Sequence, residues 1–78
     1  MYSRLDLYYS MAKKQTVQNC VRVYRTKRDV TQEDLAQAVD VTRQTIIAIE
    51  RGSYVPSVML ALKLANFFSV PVERLFSL

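Results

Sequence analysis

Residues 31–52 read Thr-Gln-Glu-Asp-Leu-Ala-Gln-Ala-Val-Asp-Val-Thr-Arg-Gln-Thr-Ile-Ile-Ala-Ile-Glu-Arg-Gly, and no other stretch constrains the fold as tightly. Thr31 offers its hydroxyl as an N-cap, and Asp34 three residues later approximates a capping box. Leu35, Ala36 and Val39 then share one face at helical spacing. Asp40 interrupts the pattern where the chain must turn. Thr42 can cap a second helix whose Ile46 and Ile49 point inward, and Gly52 supplies a left-handed stop. The spacing therefore predicts two short helices and a tight turn in one register.

Two helices joined by a turn of this length make a helix-turn-helix. Its second helix carries Arg43, Gln44 and Thr45 in the first turn, residue types that bond base edges and phosphates. Further pieces follow in order along residues 21–76. They are Val21-Arg22…Arg25, Thr31-Gln32-Glu33-Asp34-Leu35-Ala36, Val41-Thr42-Arg43-Gln44-Thr45-Ile46, Ile49-Glu50-Arg51-Gly52, Pro56-Ser57, Ala61-Leu62-Lys63-Leu64-Ala65 and Val70-Pro71-Val72-Glu73-Arg74-Leu75-Phe76. This ordered set resembles the Cro/repressor (Xre-type) helix-turn-helix family of DNA-binding regulators. One position departs from it: the family usually places glycine in the turn, and this chain has Asp40. Aspartate tolerates the left-handed region better than most residues, so the turn is expected to survive at a small cost.

The chain has 78 residues, half of them hydrophobic, which allows one small domain with a compact core and marginal stability. Dimerisation would help. A net charge of +4 suits a polyanionic partner but equally fits an ordinary basic protein. One cysteine and no histidine exclude an internal disulfide and a plausible zinc set. Cys20 is expected as a buried thiol in the first helix, with a redox sensor as the alternative. No secretory signal and no membrane-spanning apolar run are evident, which predicts a soluble, cytoplasmic protein that does not engage membranes. With so few strand signals the chain reads as all-α.

The expected organisation is an N-terminal extension, residues 1–16, followed by a five-helix repressor-like bundle, residues 17–78. Helices are predicted near 17–27, 32–39, 43–51 and 57–68, with a short last helix opening at 71. Val21 and Tyr24 would face the core from the first, and Val30 would plug the corner after it. Ser57 would cap the fourth, and Pro71 fits the first position of the last. The extension is apolar (Tyr2, Leu5, Leu7, Tyr8, Tyr9, Met11) and basic (Arg4, Lys13, Lys14). It is either a flexible tail or upstream start, or an arm that packs on the domain or on a second subunit. Its apolar content argues against a minor-groove arm.

The resemblance implies double-stranded DNA as the partner and no cofactor. The candidate DNA-binding residues are Gln32, Thr42, Arg43, Gln44, Thr45, Ile47, Ala48, Arg51, Ser53 and Tyr54. Arginine can read guanine through two parallel hydrogen bonds, and glutamine can read adenine the same way. Ile47 either touches a thymine methyl or lies at the helix edge. Gln32 is implied to brace a phosphate and support the recognition helix, and Lys63 is a further phosphate candidate. Arg25 and Glu50 are implied to meet as a partly buried ion pair. The dimer interface is expected at Phe67, Val72, Leu75, Phe76 and Leu78, setting two recognition helices about 34 Å apart on a palindromic operator. The leading expectation is a homodimeric transcriptional regulator that represses. The alternative is an antitoxin-type interaction module whose extension binds a partner protein while DNA binding autoregulates. Nothing in the chain supplies the acids, bases or nucleophiles of an enzyme.

Overall fold

The computed structural model describes residues 3–5 and 16–78. Expectations that fall on Tyr2, Leu7, Tyr8, Tyr9, Met11, Lys13 and Lys14 lie outside these residues. Within residues 16–78 five helices follow one another: α1 (Val21–Lys27), α2 (Gln32–Ala38), α3 (Arg43–Arg51), α4 (Val58–Phe68) and α5 (Val72–Leu75). Two short strands, β1 (Gln18–Asn19) and β2 (Phe76–Ser77), flank them and pair antiparallel, Gln18 opposite Ser77 and Asn19 opposite Phe76.

Local chemistry sets most of the boundaries. The Thr31 hydroxyl accepts from Asp34 N–H, the Thr42 hydroxyl from Thr45 N–H, and the Ser57 hydroxyl from Leu60 N–H, so α2, α3 and α4 each begin on a side-chain cap. Glu33 and Asp34 add negative charge at the positive end of α2. Gly52 ends α3 at φ +80°, where a side chain would be strained. Among the described residues three others enter the left-handed region without being glycine: Asp29, Asp40 and Ser69. Asp40 makes the turn between α2 and α3 at φ +61°, a conformation that aspartate tolerates better than most residues.

The core is a single cluster that draws on all five helices: Val21, Leu35, Ala36, Val39, Ile46, Ile49, Leu60, Leu64, Ala65, Phe68 and Leu75. Tyr24, Val30 and Phe67 pack on its rim. Arg28 closes one end. Its guanidinium donates to the carbonyls of Phe67 and Phe68 and lies over the Phe68 ring, so it caps the C-terminus of α4 from the loop after α1.

Four expectations are corrected. The first helix starts at Val21, not at 17, because residues 18–19 extend to pair with the C-terminal residues. Cys20 is exposed, not buried in a helix, since it stands at the junction where β1 gives way to α1. Leu75 is 1% exposed and belongs to the core, so it is not available for a dimer interface. Its helix is one turn long, and the inward side of that turn is the residue that seals the bundle. Pro71 stands at the N-cap of α5, one position before the expected place.

Candidate nucleic-acid interface

The outer surface of α3 is built from the residues that its core face leaves over. Ile46 and Ile49 are fully buried, which rotates Arg43, Gln44 and Arg51 into solvent and leaves Thr45, Ile47 and Ala48 half-buried at the edges. No acidic residue occupies the first turn of α3, and Arg43 stands there instead. A cation at a helix N-terminus opposes the macrodipole, so folding alone does not favour it. Such a local mismatch is characteristic of a functional surface.

Several contacts hold α3 in place behind this face. Arg25 meets Glu50 at 2.6 Å through Nε, and its second arm reaches the other carboxylate oxygen at 3.2 Å. The remaining guanidinium nitrogen donates to the Val30 carbonyl at 2.9 Å. Gln32 Nε2 donates to Glu50 Oε1 at 3.1 Å, joining the start of α2 to the end of α3. The two charged side chains are 13% and 5% exposed, so the pair is largely withdrawn from water and its hydrogen bonds are satisfied on both sides. Behind the same helix, Asn19 Nδ2 donates to the Ile49 carbonyl at 2.9 Å.

A groove of about 770 Å³ runs between the start of α2 and the outer face of α3. Gln32, Arg43, Ile47 and Arg51 line it together, with Arg22 from α1. Four guanidinium groups border it against the carboxylates of Glu33 and Glu50, and Glu50 is already neutralised by Arg25. The balance is cationic and suits a phosphate-bearing ligand. On the other flank of α3, Thr45, Tyr54 and Lys63 border a smaller cleft of about 290 Å³ with Asp40 and Met59. Six of the ten predicted residues thus fall on one or the other flank of α3. Thr42, Gln44, Ala48 and Ser53 line neither groove. The Thr42 hydroxyl is engaged with Thr45, and the Ser53 hydroxyl donates to the Ala48 carbonyl.

Sequence reading missed Arg22 as a groove residue and both Asn19 and Arg28 as structural donors. Arg22 was legible in principle, one residue from a core position of α1. Asn19 and Arg28 bond backbone carbonyls 30 to 40 residues away, and no side-chain pattern marks such partners.

Among the described residues no helix is long and apolar enough to cross a membrane. A family profile described as Helix-turn-helix matches residues 21–75. The chain is 52% identical over 60 residues to an uncharacterized HTH-type transcriptional regulator of Methanocaldococcus jannaschii, covering 77% of this chain and 91% of that one. It is 47% identical over 60 residues to the uncharacterized HTH-type transcriptional regulator YgzD of Bacillus subtilis, with the same coverage of both chains. It is 37% identical over 57 residues to the cryptic phage CTXphi transcriptional repressor RstR of Vibrio cholerae, covering 73% of this chain and about half of that one. Profile, relatives and the capped α2–turn–α3 unit agree: the chain belongs to the Xre-type helix-turn-helix family of DNA-binding transcriptional regulators, which are not enzymes.

Proposed function

We propose that two copies of this protein bind one palindromic operator in the cytoplasm and repress transcription by occupying it. In this reading α3 enters the major groove. Arg43 and Gln44 read base edges, with Thr42, Thr45, Ile47 and Ala48 beside them. Gln32, Arg51 and Tyr54 take the flanking phosphates, and Ser53 joins them by turning its hydroxyl from the Ala48 carbonyl to a phosphate oxygen. The observation that carries the reading is the exposure of Arg43 and Gln44 on a helix whose opposite face is wholly buried. The repressive role takes support from the relative in Vibrio cholerae, whose name is that of a transcriptional repressor.

The second copy is proposed to dock on Phe67, Val72, Phe76 and Leu78. Leu78 is 76% exposed, and the other three are half-buried on the rim of the core. A two-fold contact there would give the symmetry that a palindrome requires.

The test is selection of duplexes from a random pool by the purified protein, followed by competition with single-position variants. Arg43→Ala or Gln44→Ala should each relax preference at one position per half-site and cost about 1–3 kcal/mol. Tyr54→Ala should weaken binding evenly across sequences. An Arg43→Ala protein with unchanged preference and affinity would place base reading elsewhere.

A further inference from the structure

Three parts of the chain meet at Asn19. Its backbone lies in β1 opposite Phe76. Its Oδ1 accepts from Val21 N–H at 3.2 Å, bonding a free donor at the start of α1. Its Nδ2 donates to the Ile49 carbonyl at 2.9 Å, in the last turn of α3. Both partners are backbone groups of fixed polarity, so the orientation of the amide is forced by them. The carboxamide offers its acceptor and its donor on two separate atoms of one planar group, so it serves both at once.

We infer that Asn19 is a positioning residue for base recognition: it fixes the inner end of α3 to the terminal strand pair and so sets where Arg43 and Gln44 stand, without touching DNA. The inference rests on the reading of α3 as the helix that enters the major groove. A short helix is placed by its two ends. Asp40 and the Thr42 cap define the outer end of α3 through the turn from α2. At the inner end, the Arg25 and Gln32 bonds reach the flexible side chain of Glu50, whereas Asn19 grips the helix backbone itself. From Ile49 to Arg43 the helix rises about 9 Å, so a tilt at the inner end is carried to the reading end. Base reading needs placement within about 0.5 Å, while phosphate contacts are sequence-independent and tolerate more.

Two variants separate this role from simple support of the fold. N19S and N19D each keep an oxygen that can accept from Val21 N–H, and each loses the Nδ2 that donates to Ile49. The aspartate carboxylate has no proton to give, and the serine hydroxyl, one bond shorter and without added charge, lacks the reach of the amide nitrogen. The probes are a duplex selected from a random pool by the unmodified protein and a shuffled duplex of equal length. The readout is the ratio of the two affinities, with urea unfolding measured in parallel. Both variants should lower that ratio about three- to tenfold, the range set by one partly buried hydrogen bond. R43A serves as the control and should lower it too. If R43A lowers the ratio while N19S and N19D leave it within about twofold, with only the unfolding midpoint reduced, Asn19 merely supports the fold and the inference is overturned. A fall in N19D alone reflects added charge and also overturns it. If R43A leaves the ratio unchanged, the placement of α3 in the groove fails, and the inference falls with it. Should N19D not fold, N19S decides.

Discussion

At the scale of single residues, the Glu50 carboxylate carries the most consequence. It accepts from two nitrogens of Arg25 and one of Gln32 and is nearly buried. Removing one member of a withdrawn ion pair leaves the other charge without compensation, which typically costs about 3–5 kcal/mol. Glu50→Ala should therefore destabilise the protein by about 3 kcal/mol, with Arg25 left only the Val30 carbonyl. Replacing Arg25 as well should recover part of that loss. Urea unfolding of the two single variants and the double variant checks this, and strictly additive costs would show that the pair is not coupled. Arg28→Ala should cost about 1–2 kcal/mol, because it strips the α4 C-terminus of its charge-assisted cap. Thermal unfolding measures it, and DNA affinity at a temperature where both proteins are folded should be unchanged. Arg25 and Glu50 were legible through the resemblance. Arg28 was not, because its partners are carbonyl oxygens that every residue carries.

At the scale of elements, the caps were the legible part. Thr31, Thr42, Ser57 and Gly52 act locally, within three or four residues of their partners, and their chemistry is written in the order of the residues. The start of α1 was not legible. Val17, Val21 and Tyr24 fit a helical face, yet residues 18–19 are extended, since their hydrogen-bond partners come from residues 76–77. The left-handed Ser69 that ends α4 is equally silent in sequence, because serine gives no such signal. The turn at Asp40 supports a direct prediction. A residue with a Cβ pays a strain cost at φ +61°, less for aspartate than for most. Asp40→Gly should relieve that strain at some expense in unfolded-state entropy, for a net gain of up to about 1 kcal/mol. Urea unfolding reads the gain; a loss of stability would mean that the Asp40 side chain supports the turn.

At the scale of the whole molecule, charge and assembly decide behaviour. A net charge of +4, with four arginines bordering the groove beside α3, predicts that DNA affinity falls steeply with salt as bound counterions are released. A double-logarithmic plot of affinity against salt should have a negative slope equivalent to several phosphate contacts per proposed dimer. A flat plot between low and physiological salt would contradict it. Leu78→Asp should shift the sedimentation of the protein towards the monomer and weaken its binding to the selected duplex. Unmodified protein that sediments as a monomer at high micromolar concentration would remove the proposed interface.

The sequence by itself determined the helix-turn-helix unit, its caps and the face of α3 that turns away from the core. These follow from spacing and from hydrogen bonds between near neighbours, which need no knowledge of the rest of the chain. Tertiary structure alone decided how that unit is held. The antiparallel pairing of residues 18–19 with 76–77, the Asn19 bond to Ile49, the Arg28 cap on α4 and the burial of Leu75 all join residues distant along the chain. Each depends on which surfaces meet when the helices close over one core. Backbone groups, alike at every residue, supply most of the partners, so the order of side chains does not announce them.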